Sequence, residues 1–193
     1  MTNIYECAQA FIPLLDTEYH IILGRKNKTV ELIIYFDKTH FYHLFGLQYL
    51  TDLADLNKRR DIIFNELVSG KLGREKIESS DLYYKIEERI KFLPYLEQII
   101  DSNQTVFRYN KNQNLYSMIQ ADYLMKNTML NSNTLLFLSK NQNEKYFCRS
   151  FFPENKRDYT KNQSLWTLLY KKKINLKTGK ESILYNCLKD KDI

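Results

Sequence analysis

Apolar positions along the chain change period several times, and each change predicts an element. Ile4, Cys7, Ala8, Phe11, Leu14 and Leu15 recur at helical spacing, which predicts a short amphipathic helix over 3–15 that stops near Pro13. β-branched and aromatic runs at 19–26 and 30–36 flank the polar Asn27-Lys28 pair and predict a hairpin. The next stretch, 36–53, returns to helical spacing through Phe41, Leu44, Phe45 and Leu47, with Asp37 or Thr39 as the N-cap. Gly46 falls in this pattern at a cost of about 1 kcal/mol relative to alanine. Its presence implies a strand, a second helix or a ligand lying very close.

Residues 57–100 read as helical throughout. Ile62, Ile63, Phe64 and Leu67 form one stripe, Gly70 and Gly73 mark a break, and Ser79 or Ser80 caps a helix through Leu82, Ile86, Ile90 and Leu93. Pro94 is placed at the start of a further short helix. Beyond residue 101 the pattern switches to strands at 105–109, 115–124, 134–139, 145–152 and 164–174, separated by Asn-rich turns. The run at 115–124 also fits a helix, and 183–188 fits a last strand or a docked tail. Short connections between consecutive strands imply an antiparallel meander. The expected fold is therefore α+β: an antiparallel sheet packed against an N-terminal helical part, with a helical insertion at about 57–100. A single domain over 1–193 is expected, with the first helix, hairpin and His helix in 1–56 and the basic sheet in 101–193.

With 44% hydrophobic and 27% charged residues, 5 glycines and 3 prolines, the chain has a globular composition without long flexible linkers. No apolar run reaches membrane-spanning length and no signal segment follows Met1, so a cytoplasmic protein without membrane contact is expected. The scattered Cys7, Cys148 and Cys187 offer neither a disulfide framework nor zinc spacing. His40-x-x-His43 has no third ligand at a known spacing, so no metal and no cofactor are expected. The net charge of +6 is unevenly placed. Residues 140–180 hold eleven Lys/Arg against three acids, a net +8, while both flanks are close to neutral. Such a segment suits a polyanion such as nucleic acid, or is simply a solvated lysine-rich surface.

Candidate chemistry rests on histidine, basic and hydroxyl side chains. His40, in or near the first turn of its helix, faces a dipole end that disfavours imidazolium, and a neutral imidazole can take a proton. Packing inside the fold is the competing role for both His40 and His43. Arg25, Lys26, Arg108 and Arg149 are candidates to hold a phosphate, with Ser150, Tyr159, Thr160 or Thr167 orienting it. Cys148 adjoins Arg149, but strand alternation would send them to opposite faces, against a nucleophilic role. Lys171, Lys172 and Lys173 extend the basic footprint. Tyr146, Phe147, Phe151, Phe152, Tyr159, Trp166 and Tyr170 interleave with it, as stacking platforms for single-stranded nucleic acid or as ordinary strand packing.

Three segments carry a family resemblance: His40-Phe-Tyr-His43-Leu-Phe-Gly46-Leu, Phe147-Cys-Arg149-Ser150-Phe-Phe-Pro153 and Asp158-Tyr159-Thr160-Lys-Asn-Gln163. Together they resemble the fourth group of the phage-associated barnase–EndoU–colicin–RelE-like nucleases, over nearly the whole chain. The resemblance implies a metal-independent, toxin-like ribonuclease of a phage or mobile element, with RNA as substrate and an antitoxin or immunity protein as a partner. It also implies site roles for His43, Arg149, Ser150 and Tyr159, with His40 as the alternative base. The inserted helices at 57–100 depart from a minimal fold of that kind. A second class fits the same residues: a non-catalytic accessory protein that binds nucleic acid or a host protein through its basic sheet. The oligomeric state is left open.

Overall fold

The computed structural model describes residues 3–114, 117–155 and 157–188. Its architecture is organised around β1 (Thr17–Arg25), which is paired along both edges. One edge runs antiparallel to β2 (Lys28–Tyr35), in a register from Glu18↔Tyr35 to Arg25↔Lys28. Lys26 and Asn27 both adopt positive φ at the tip, the geometry that matches a two-residue turn to the twist of its strands. The other edge runs antiparallel to β7 (Ser164–Asn175), from Thr17↔Asn175 to Gly24↔Thr167. From β2 the sheet continues through a parallel link, Ile34↔Tyr146 and Tyr35↔Phe147, to β6 (Tyr146–Pro153). Antiparallel neighbours β5 (Ser132–Lys140), β4 (Tyr123–Met129) and β3 (Thr105–Arg108) follow, and β3 returns to β7. The circuit closes as a mixed seven-strand barrel, with β8 (Glu181–Asn186) added along β7.

The expectation of an antiparallel meander packed against a helical part is thus corrected. Short connections bias a sequence reading toward neighbouring strands. Here β7 passes β6 and pairs with β3 and β1 instead, and β6 joins β2 in parallel. The strand expected at 115–124 is displaced as well. Residues 117–122 are irregular and β4 begins at Tyr123; positions 115–116 lie outside the described residues, as does Lys156 of the basic segment.

The helical content is short pieces: α1 (Ile4–Phe11), α2 (Lys38–Phe45), α3 (Arg60–Val68), α4 (Arg74–Glu78), α5 (Glu87–Phe92) and α6 (Leu96–Asp101). The expected break is present at Gly70, which turns with φ +76, and Pro94 lies at the start of the 3-10 turn Leu93–Tyr95, but the expected helix through Leu82 and Ile86 is interrupted by the 3-10 turn Tyr83–Lys85. Neither serine caps α5; Ser80 Oγ instead donates to Asp52 Oδ1 at 2.6 Å. Inward side chains such as Tyr19, Ile21, Leu23, Leu32, Ile34 and Leu136 merge with the buried faces of the helices into one core. A smaller cluster of Tyr109, Leu124, Leu135 and Phe137 lies apart from it. Strands β4 and β5 therefore bury side chains of both alternating sets. Among the described residues no helix is long and apolar enough to cross a membrane.

Closure of β7 onto β1 also decides the fate of the lysine run. Lys171 stands opposite the core residue Ile21 and so shares its inward face. It is 0% exposed, with Nζ donating to Ile100 O at 2.8 Å, Gln104 Oε1 at 2.6 Å and Ser102 O. Burial lowers its pKa to about 8, against a smaller opposing pull from Asp101. The unfolded chain keeps this proton up to about pH 10.5 while the folded protein releases it near 8, so stability rises with pH across that window. Wild type should gain on the order of 3 kcal/mol over Lys171→Met between those limits. Denaturant unfolding of the pair at both pH values checks this; a constant difference would overturn the buried, titrating lysine.

Candidate active site

α2 is set by its ends. Asp37 caps it, accepting from Thr39 N at 2.8 Å and Thr39 Oγ1 at 2.6 Å, and its own N–H donates to His40 Nδ1 at 3.0 Å. This is a capping box with histidine in the place usually held by Glu or Gln. The helix ends where Gly46 turns left-handed with φ +88, so Gly46 is its C-cap rather than an interior residue. A Cβ at Gly46 would meet Ile86 Cγ2 at 3.0 Å and Arg89 Nε at 3.1 Å, which identifies α5 as the close neighbour its glycine accommodates. Phe41 packs on Phe11 and Phe64 with ring centroids 5.5 and 5.2 Å apart. With that face buried, His40 and His43, one turn apart, lie toward β6.

The two histidines have different freedom. His40 stacks on Phe147 at 5.1 Å and meets the Tyr35 ring edge-on at 5.2 Å. Burial lowers its pKa, with Asp37 opposing. Its Nδ1 accepts the Asp37 N–H, which places any ring proton on Nε2 and removes the free lone pair that a base needs. His43 is half-buried and has no such bond. Burial first, then the cations Arg60 and Arg149 and the neighbouring His40, push its pKa down to about 4. The Gln48 side chain opposes this, although its buried Oε1 has no donor at hydrogen-bond geometry among the described residues.

Arg149 reaches this position through a β-bulge. Ser150 faces Phe137 and Cys148 faces Leu138, so Arg149 is the extra residue with no cross-strand partner. Bulges re-aim side chains in this way, and Arg149 is exposed while Cys148 is 1% exposed. Burial drives the Cys148 thiol far above its ordinary value, which keeps it in the unreactive form. Arg60 opens α3 and lies 5.5 Å over the Tyr42 ring. The result is a half-open neutral imidazole beside two cations.

The other candidates are dispersed. Ser150 follows Arg149 on β6 and is half-buried. Tyr159 packs edge-on against Phe137 and Phe152, both at 5.5 Å, and lines a separate cleft with Arg89. Arg25 and Lys26 occupy the β1–β2 hairpin tip. Arg108 pairs with Asp122 at 3.2 Å and lies 4.8 Å over the Tyr123 ring. Lys172 bonds both carboxylate oxygens of Glu181 at 3.1 Å, and Lys173 bonds Glu97 and Asp101 at 2.7 Å each. With Lys171 buried, none of the three lysines presents a free ammonium. Nothing in the sequence pattern marks Arg60, Gln48 or Arg89 as a site residue. Arg60 ends the basic run Lys58-Arg59-Arg60, but nothing local connects that run to His43.

A closed mixed barrel carrying a half-buried histidine in the field of two arginines has the groups needed for proton transfer at a phosphate. The model of the phage-Barnase-EndoU-ColicinE5/D-RelE like nuclease 4 family matches residues 3–187, and the chain belongs to that family. No curated protein and no solved structure gives a significant match to the chain.

Because Arg60 disfavours imidazolium at His43, Arg60→Gln should raise the His43 pKa from about 4 toward the ordinary 6.5. NMR titration of the His43 ring protons reads this directly. An unchanged midpoint would show that Arg60 does not act on the ring.

Proposed function

We propose that this nuclease-family protein is an endoribonuclease that cleaves RNA by attack of the ribose 2′-hydroxyl, with His43 as general base. One observation carries the reading: a half-open histidine is held neutral by burial and by Arg60 and Arg149. In this scheme His43 removes the 2′-proton, and the 2′-oxygen attacks the adjacent phosphorus. The 5′-oxygen departs, taking a proton from water, and a 2′,3′-cyclic phosphate remains. Arg149 and Arg60 offset the charge that grows on the phosphoryl oxygens.

A base with a pKa near 4 is weak, and the substrate corrects this. A phosphodiester seated beside Arg149 and Arg60 cancels part of the positive field that lowered the pKa, so His43 becomes more basic in the complex than in the free protein. His40, with Nδ1 engaged in the helix cap, is assigned a structural role.

In EDTA, wild type should cut single-stranded RNA and leave 2′,3′-cyclic phosphate ends. His43→Ala should lower kcat by roughly 10²–10⁴-fold with little change in thermal midpoint. Arg149→Ala should lower both turnover and affinity, because a phosphate-facing cation acts on ground and transition states. His40→Gln keeps an acceptor for the Asp37 N–H and should retain cleavage. Loss of activity in His40→Gln but not in His43→Ala would exchange the two roles. A folded wild type that binds RNA without cutting it would return the protein to the accessory-binder class.

A further inference from the structure

Arg89 marks a second cleft, braced to the helix of His43 and the strand of Arg149. Arg89, on α5, is 7% exposed, and no carboxylate pairs with it among the described residues. Its Nη1 donates to Phe151 O at 2.8 Å and Leu44 O at 3.4 Å, and its guanidinium lies 5.3 Å from both the Tyr49 and Phe152 ring centroids. Those two bonds use one nitrogen, and the Tyr49 side chain is the further polar neighbour of the guanidinium. A guanidinium so deeply placed without an anion carries a desolvation cost that carbonyls and ring faces offset only in part. It lines an open cleft of about 510 Å³, within the range of small-molecule sites.

The rest of the lining favours an anion with a planar part. Arg157 and Lys85 add positive charge, Arg157 lying 5.7 Å over the Tyr159 ring. The two acids of the lining are already engaged: Glu88 with Lys91 at 2.5 Å, and Glu154 with Lys126 at 2.7 Å. Tyr84 is 66% exposed at the rim, a ring face without a burial role. The carbonyls that Arg89 holds belong to Leu44 and Phe151, which follow His43 on α2 and Ser150 on β6, so Arg89 ties the cleft to the two elements that carry the proposed reaction centre.

We propose that this cleft binds one nucleotide of the substrate strand next to the scissile phosphate, with Arg89 and Arg157 receiving its phosphate and the tyrosines stacking its base. The occupant's identity as part of an RNA strand rests on the ribonuclease reading above, whereas the anion site rests on Arg89 itself. Guanidinium forks match phosphate oxygens, and aromatic faces accept any base. Arg89 also has a second effect: by holding the Leu44 and Phe151 carbonyls it fixes α2 against β6, so the nucleotide site and the base share one brace.

Calorimetric titration with adenosine 3′-monophosphate, and separately with adenosine and inorganic phosphate, tests the site. The nucleotide should bind at least about tenfold more tightly than either half. Tyr84→Ala and Arg157→Ala, both at exposed positions, should each weaken it by about fivefold or more. Arg89→Met should weaken it by roughly tenfold or more; should that variant fail to fold, the two rim variants decide. His43→Ala should bind the nucleotide like wild type. On RNA, the rim variants should raise KM with little change in kcat. Absence of nucleotide binding at millimolar concentration, wild-type affinity in both rim variants, or loss of binding in His43→Ala would each overturn the proposal. A wild type that binds the nucleotide but cuts no RNA defeats the catalytic reading and leaves the cleft standing. Cleavage with unchanged KM in the rim variants does the reverse.

Discussion

Pairing of β1 with β7 is the constraint on which the other features depend. It joins residues 17–24 to residues 167–175, a sequence separation that makes its loop-closure entropy larger than that of the neighbouring-strand pairings. Without it the remaining strands would make an open sheet with two unprotected edges, a template for unwanted pairing. Within the closed circuit β6 lies between β5 and β2, and both α2 and α5 pack against it. The histidine helix and the Arg89 helix therefore reach the same strand at successive positions. His40 meets Phe147, His43 feels Arg149, and Arg89 stacks on Phe152.

What the sequence discloses is what is decided within about a turn of the chain. The α2 start is legible because Asp37 and the residues it caps are close in sequence, and the β1–β2 hairpin because its turn lies between two apolar runs. Gly46 is legible only as a demand for close approach; that the neighbour is Arg89 follows from tertiary packing. Long-range choices are hidden. The β1–β7 pairing leaves no local trace, and two residue pairs make the whole β2–β6 link. β4 hides because Lys126-Asn127-Thr128 reads as polar loop, although Lys126 is held by Glu154 and Asn127 by the Ile99 carbonyl.

The candidate site divides along the same line. His43 and Arg149 are recognisable as residue types and through the family motif. Their proximity depends on a bulge at Arg149 that composition cannot show. Arg89 is hidden more thoroughly, because Glu87-Glu88-Arg89 reads as a solvated helix face while the arginine in fact turns inward. Lys171-Lys172-Lys173 shows the opposite error. Three adjacent lysines read as one patch, but alternation along β7 sends Lys171 and Lys173 toward α6 and Lys172 out to Glu181.

Net charge is consequently a poor guide to where this protein would hold a phosphate, and the pattern of pairing a better one. Much of the +8 carried by residues 140–180 is already committed: Lys140 to Glu144, Lys145 to Glu18, Lys172 to Glu181, Lys173 to Glu97 and Asp101, Lys177 to Asp16. The exposed ones among these contribute little stability, about 0–1 kcal/mol each, but all of them remove those cations from the field that a ligand meets at short range. Arg149 and Arg157 of that segment enter no ion pair with a described residue, nor do Arg60 and Arg89 from the helices. Three of these four stand where side-chain geometry has already selected a site, Arg149 and Arg60 around His43 and Arg89 in the second cleft; Arg157 extends that cleft. The unpaired charge of Arg60 and Arg149 that lowers the basicity of His43 in the free protein is the charge that a phosphate would neutralise on arrival.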